Sequence, residues 1–167
     1  MKRLYAPWRS AYLMDESTRE DGCLFCRIAA EADADGENFV LERGRGWYTI
    51  INRYPYTTGH IMVVCDRHVE GLSDLTVDEA AELMRLSGRA ERALRAAYGP
   101  DGINVGANLG RSAGAGIVGH LHLHLGPRWH GDTNFMSAVG ETRVVSEDLG
   151  ESYRRLLEAL GALDQGD

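Results

Sequence analysis

The sequence contains no apolar run long enough to span a membrane, and its N-terminus, MKRLYAPWRS, lacks the apolar core of a signal peptide. It also contains no block of like charges. Acidic and basic residues are mixed along the chain and give a formal net charge of −7, which argues against a broad basic surface for nucleic acid. These absences predict a cytoplasmic protein with neither a membrane nor a nucleic acid as its partner.

Cysteine is scarce as well, and the 3 cysteines are an odd number. Two of them form the motif CLFC at 23–26, which in a reducing compartment favours a metal or redox site over a structural disulfide. A redox motif needs a βαβ setting that the surrounding sequence does not show. A metal site and a pair of reduced, partly buried thiols both stay open, while Cys65, at the end of an apolar run, is expected to be a buried small hydrophobe.

Repeats, low-complexity stretches and linkers are absent, so residues 1–167 are expected to form a single domain. The hydrophobic pattern predicts a short helix near 23–32, a hairpin over 39–55 and a central strand over 60–66. A capping box of Thr76 and Glu79 opens a long helix that reaches Tyr98. Strands are expected at 103–110 and about 117–126, and Ser146 is expected to cap a final helix. This order predicts an α+β fold with an antiparallel sheet.

Three histidines alternate with leucines in the motif GHLHLHLGPRW, residues 119–129. In a strand, alternate side chains share a face, so His120, His122 and His124 should lie together while the leucines enter the core. A half-exposed strand that carries histidine by coincidence is the least economical explanation. The histidines could chelate one metal, or the middle one could act as a nucleophile between two helpers.

The flanking sequence favours phosphate chemistry. The segment NLGRSAGAGIVG just before the triad is rich in glycine and can present backbone N–H groups to an anion. Arg128, just after it, carries a fork of donors that suits phosphate oxygens. A neutral imidazole can attack phosphorus and form a phosphoramidate, which splits one displacement into two steps.

With these residues the chain resembles the histidine triad (HIT) superfamily of nucleotide hydrolases and transferases. The resemblance includes INRYPYTTGHIMVVCDRHVEGLSDL and covers most of residues 22–130. The flanks APWRSAYL and PRWHGDTNFM are similar to the branch that cleaves diadenosine polyphosphates, namely the bacterial phosphorylases and the fragile-histidine-triad hydrolases. The resemblance to the HIT superfamily implies an α+β fold with about five antiparallel strands, a long helix and a C-terminal helix.

The resemblance also implies roles for individual residues. His122 would be the nucleophile that carries the nucleotidyl group, with His120 and His124 beside it, and His60 and His124 would contact phosphate oxygens. Asn52 would bind the ribose, and Ile50 and Met62 would sandwich the base. The phosphate-binding segment would comprise Asn108, Ser112 and Gly116. Where several members carry Ser, Thr or Gln before the triad, this chain has GAGIVG and therefore lacks that side-chain donor.

In the family members that bind zinc, two histidines complete the site that a cysteine pair begins. His68 and His120 resemble these two histidines in their positions. The resemblance therefore implies a closed, structural zinc site built from Cys23, Cys26, His68 and His120, with the segment 22–30 as its knuckle. It also implies a homodimer, and a Mg²⁺ ion could accompany the phosphates of the substrate.

The function expected on these grounds is cleavage of a dinucleoside polyphosphate, with diadenosine tetraphosphate as the leading substrate. The nucleotide would pass from His122 to phosphate or to water. Two alternatives stay open, a nucleoside phosphoramidate hydrolase and a zinc-bearing nucleotide-binding module without turnover.

Overall fold

The computed structural model describes residues 22–133, residue 139 and residues 146–165. Within these residues, five β-strands form one antiparallel sheet: β1 Val40–Arg43, β2 Trp47–Ile51, β3 Ile61–Cys65, β4 Gly102–Gly106 and β5 His122–Arg128. Their order across the sheet is β1-β2-β3-β5-β4. The helices are α1 Leu24–Ala30, α2 Asp35–Asn38, α3 Val77–Tyr98 and α4 Leu149–Asp164, with short 3-10 turns at Ala32–Ala34, Leu72–Asp74 and Arg111–Ala113. The predicted α+β fold with its antiparallel sheet is confirmed.

Each face of the sheet packs against a different set of apolar residues. On one face, β2, β3 and β5 pack against α3 and α4 and form the larger core, in which Trp47, Leu86 and Leu125 are fully buried. On the other face, Tyr48, Val64 and their neighbours pack against the short helix α1. Because β3 lies at the centre with both faces covered, all five of its residues are buried and its sequence is continuously apolar.

The long helix α3 begins and ends as its sequence predicts. The Thr76 hydroxyl accepts the N–H of Glu79, and the Glu79 carboxylate accepts the N–H of Thr76, which completes the capping box. Gly99 ends the helix with a φ of 52°, a left-handed conformation that glycine adopts at little cost. Within the described residues, no helix has both the length and the apolar character needed to cross a membrane.

Two boundaries differ from the prediction. Asp148, and not Ser146, caps α4, because its carboxylate accepts the N–H of Glu151 at 2.9 Å. Ser146 lies two residues before this cap, and its backbone N–H donates to the Thr58 hydroxyl at 3.2 Å. The strand expected at about 117–126 runs from His122 to Arg128. Just before it, the Leu121 carbonyl still accepts the Cys65 N–H of β3 at 3.3 Å, but the Leu121 N–H donates to the Val69 carbonyl at 2.7 Å, outside the sheet.

Candidate functional site

The three triad histidines lie on the sheet face that α1 partly covers. His122 and His124 pair with Val64 and Met62 of β3, so both rings stand beside the central strand. The rings of His122 and His124 are 4.8 Å apart and nearly perpendicular. Leu121 and Leu125 are buried in the core on the opposite face. The alternation in the sequence therefore separates a chemical face from a packing face.

His122 has one ring nitrogen fixed by the backbone. Its Nδ1 lies 2.8 Å from the carbonyl oxygen of His120. A carbonyl only accepts, so Nδ1 carries the proton and Nε2 keeps its lone pair. The side chain is 5% exposed, and the Phe25 ring packs against it with a centroid distance of 5.0 Å. His122 is thus held in the tautomer that a nucleophilic imidazole requires.

His124 belongs to a second chain of hydrogen bonds that starts at the backbone of Tyr56. The Tyr56 N–H donates to Nδ1 of His60 at 3.1 Å, which leaves the proton of a neutral His60 on Nε2. This Nε2–H donates to Nδ1 of His124 at 3.0 Å. His124 then carries its own proton on Nε2, where it is available to an anion. The Asn52 amide lies beside this chain, 3.4 Å from Nδ1 of His60.

Both of these triad histidines have depressed pKa values. Burial lowers the pKa of His122, and its bond to the His120 carbonyl opposes that shift. Burial and the nearby His122 lower the pKa of His124 to about 4. Both rings are therefore neutral near pH 7, which keeps a lone pair on His122 and a single N–H donor on the free nitrogen of His124.

Four side chains from distant parts of the sequence meet at the other end of the triad. The ligand atoms of Cys23, Cys26, His68 and His120 all lie within 4.8 Å of one another. The Nδ1 atom of His120 is 3.2 Å from the Cys23 sulfur, and that of His68 is 3.3 Å from the Cys26 sulfur. His120 donates its Nε2–H to the Cys65 carbonyl at 2.6 Å, so its Nδ1 lone pair points to the thiols. Two thiols and two imidazoles fit a tetrahedral metal site.

Helix α1, which carries both cysteines, is tied to the sheet by polar contacts as well as by packing. Arg43 of β1 donates to the carbonyls of Ile28 and Ala29 and forms an ion pair with Asp35 at 2.6 Å. The Tyr48 hydroxyl donates to the Phe25 carbonyl at 3.0 Å. The two Arg43 contacts lie at the C-terminal end of α1, and the Tyr48 contact lies at its N-terminal end. They hold the cysteine pair and Phe25 against the triad.

The residues expected to hold the nucleoside lie on the same sheet face. Ile50 and Met62 are paired across β2 and β3, are 3% and 7% exposed, and belong to the apolar cluster under α1. Asn52 follows β2 directly, and its carboxamide oxygen accepts the N–H of Tyr54 at 2.9 Å. The sheet therefore places two buried apolar side chains and a side-chain amide on the face that carries His122 and His124.

The loop between β4 and the triad carries the expected phosphate-binding residues. Asn108 lies at its start and donates its amide to the Gly114 carbonyl at 3.5 Å, while Ser112 and Gly116 are exposed. Arg128 lies at the far end of β5. Its guanidinium donates to Asp132 at 2.5 and 2.9 Å and to Asn104 at 2.9 Å, so neighbouring side chains already occupy it.

Two aromatic residues at the site were not identified from the sequence. Phe25 packs against His120 and His122, and the Tyr56 ring lies 4.7 Å from His60 and 5.9 Å from His124. Phe25 stands between the two cysteines of CLFC, and Tyr56 stands four residues before His60. Position beside a ligand or donor motif is the signal that could have indicated both of them.

Comparison with known proteins agrees with this geometry. The HIT domain family model matches residues 37–131. An AP-4-A phosphorylase from Mycobacterium tuberculosis is 40% identical over 164 residues, which span 94% of this chain and 83% of the relative. The similarity to that relative therefore extends well beyond the segment that the family model matches.

Solved structures share the fold. A Zn-bound histidine triad family protein from Mycobacterium smegmatis superposes with a TM-score of 0.71 and 30% identity, over 87% of this chain and 98% of that one. The diadenosine triphosphate hydrolase of Plasmodium falciparum, in complex with Cyclomarin A, has a TM-score of 0.59 at 16% identity, over 77% and 78%. At that identity the second likeness concerns the fold alone.

Proposed function

Because this chain belongs to the HIT domain family, we propose that it is an enzyme that cleaves dinucleoside polyphosphates through a nucleotidyl-His122 intermediate. The observation that carries the proposal is the hydrogen bond between Nδ1 of His122 and the His120 carbonyl, which leaves Nε2 unprotonated. The similarity to a phosphorylase of AP-4-A supports diadenosine tetraphosphate as the substrate.

The first step forms a bond between Nε2 of His122 and the α-phosphorus and breaks the bond from that phosphorus to the bridging oxygen. The electron pair leaves with ATP. The imidazole becomes positively charged, and the His120 carbonyl stabilises it through the retained Nδ1–H. His124 donates its Nε2–H to an oxygen of the reacting phosphate, where negative charge accumulates.

In the second step an acceptor oxygen attacks the same phosphorus, and the P–N bond breaks in favour of His122. Inorganic phosphate as the acceptor yields ADP, and water yields AMP.

Ile50 and Met62 would sandwich the base and Asn52 would bind the ribose hydroxyls. His60 and the segment with Asn108, Ser112 and Gly116 would contact the phosphates. Arg128 is the weakest of the proposed contacts, because Asp132 and Asn104 already bind its guanidinium.

We propose zinc as the metal of the cluster Cys23, Cys26, His68 and His120, in a structural role. The four donors leave no ligand position for substrate, and their chemistry matches the tetrahedral sites that zinc prefers. Mg²⁺ would arrive with the phosphates, since this cluster is the only group of at least three candidate metal ligands in the part of the chain that the structure describes.

We further propose a single-domain, cytoplasmic homodimer. Strand β4 is an edge of the sheet, with Val105 56% exposed, and Leu109 just beyond it is 46% exposed. An exposed edge with apolar side chains favours pairing with a second copy. Light scattering of the purified protein measures the assembly directly.

The test of function is incubation with diadenosine tetraphosphate, with and without inorganic phosphate, followed by chromatography. ADP with ATP only in the presence of phosphate identifies a phosphorylase, and AMP with ATP identifies a hydrolase. His122→Ala should abolish turnover, because no other described group offers the same attack, whereas His130→Ala, on an exposed loop residue, should not. Binding without turnover, or unchanged turnover in His122→Ala, would refute the proposal.

A further inference from the structure

Cleavage at the α-phosphate releases a polyphosphate with several negative charges from a protein whose own formal net charge is −7. We propose that Arg111 binds this leaving polyphosphate and so selects substrates by the charge of the leaving group. The inference rests on the proposed function and names a specificity-determining residue for it.

The charge pattern of the sequence isolates Arg111. Between Asp101 and Arg128 it is the only lysine, arginine, aspartate or glutamate. This stretch contains β4, the glycine-rich loop and the triad itself. Arg111 is therefore the single cationic side chain in a segment that includes both the glycine-rich loop and the triad.

Two other cations near this face already have partners. Arg43 pairs with Asp35, and Arg128 is held by Asp132. Arg27, on α1, is exposed as well but lies outside the loop that leads to the triad. The exposed side chain of Arg111 has no hydrogen-bond or ion-pair partner among residues 22–133, 139 and 146–165. Its guanidinium can therefore bind a phosphate without breaking an existing contact.

The topology brings the loop of Arg111 to the triad. Strand β4 ends at Gly106, which pairs with His124, and the chain returns to His120 after the loop. Arg111 is the first residue of a 3-10 turn that lies between Gly110 and Gly114. These two glycines have φ values of 82° and 90°, which lie in the left-handed region. The Gly114 N–H donates to the Arg111 carbonyl at 3.0 Å, so the turn is closed on itself.

The test compares two substrates that place the same nucleotide on His122. Diadenosine tetraphosphate releases ATP, whereas adenosine 5′-phosphoramidate releases ammonia, which has no phosphates for Arg111 to bind. Loss of one charged hydrogen bond predicts that Arg111→Gln lowers kcat/KM for the first substrate about 10- to 100-fold. The value for the second should change less than about twofold, and Arg111→Lys should restore part of the loss because it keeps the charge.

The matched control is Arg92→Gln, which removes an equally exposed charge from α3, on the opposite face of the sheet. Arg92→Gln should leave kcat/KM for both substrates unchanged. An equal loss on both substrates, or no loss on either, would overturn the role of Arg111.

Calorimetry with ATP and AMP separates this inference from the proposed function, because it requires no turnover. Arg111→Gln should weaken the binding of ATP and leave that of AMP unchanged. Unchanged ATP affinity would refute the Arg111 contact, even if the wild-type protein proves to be an active enzyme. Weakened ATP binding in a protein without turnover would support the contact and refute the proposed reaction alone.

Discussion

Replacement of Phe25 by leucine tests whether the Cys/His cluster and the proposed nucleophile, His122, are mechanically connected. Phe25 is 2% exposed and stands between Cys23 and Cys26 in the sequence. Its ring centroid lies 5.3 Å from that of His120 and 5.0 Å from that of His122. One side chain therefore packs against a proposed metal ligand and against the proposed nucleophile, and we expect it to hold the His122 ring in place.

The magnitudes follow from the lost packing. Leucine keeps the site apolar but fills less of it, so we expect a loss of roughly 1–2 kcal/mol in the free energy of unfolding. The free energy of unfolding of a typical domain is about 5–15 kcal/mol, so the variant should still fold. The space left beside His122 lets its ring shift, and a misplacement of about 1 Å can cost about 100-fold in rate. We expect kcat for diadenosine tetraphosphate to fall about 10- to 100-fold.

The control is Ile28→Val on the same helix. Ile28 is 3% exposed and belongs to the same apolar cluster, so deleting its methylene should cost about 0.5–1.5 kcal/mol. It should leave kcat within about twofold while Phe25→Leu does not, and both variants should keep their full zinc content. A rise in KM with unchanged kcat in Phe25→Leu would show that the ring contacts substrate instead, and the positioning argument would be wrong.

Two further predictions concern the metal and the triad. Removal of zinc by a chelator should lower the melting temperature by roughly 5–10 °C, since a ligand at about 100 times its Kd contributes about 2.7 kcal/mol. The His124 ring should titrate near pH 4 in nuclear magnetic resonance spectra, because burial and His122 lower its pKa to about 4. The pKa of a histidine in the unfolded chain is near 6.5, so between about pH 6.5 and 4 the unfolded state binds the proton and the folded state does not. The free energy of unfolding is therefore unaffected by His124 above about pH 6.5 and decreases as the pH falls toward 4.

Each of the two has a clear contrary result. For the metal, Cys26→Ser should lose zinc and Cys65→Ala should keep it, since Cys65 is fully buried and lies outside the cluster. Equal zinc content in both variants would contradict the site. For the pKa, His124→Asn should remove the assigned resonance, and a midpoint at or above pH 6 in the wild-type protein would contradict the argument.

Much of the fold follows from local pattern. The capping box at Thr76 and the helical spacing of apolar residues as far as Tyr98 predict α3, because both signals depend only on residues close in sequence. The sequence does not distinguish Ser146 from Asp148 as the cap of α4, because both are good cap residues. Only the structure shows that the helix begins at Leu149, directly after Asp148. The sequence pattern extends β5 too far toward the N-terminus, because it does not encode that the Leu121 N–H donates to Val69, outside the sheet.

The histidine alternation determined by itself that His122 and His124 share one face, since side chains of a strand alternate with a period of two. The CxxC motif likewise placed two candidate metal ligands about one helical turn apart. Only the tertiary structure decided the chemistry of the rings. The carbonyls of Cys65 and His120 and the N–H of Tyr56 select which nitrogen carries each proton. Asp132 binds Arg128, whereas Arg111 has no ion-pair partner among the residues that the structure describes. A hydrogen bond depends on where two distant segments meet, and that is a property of the folded chain.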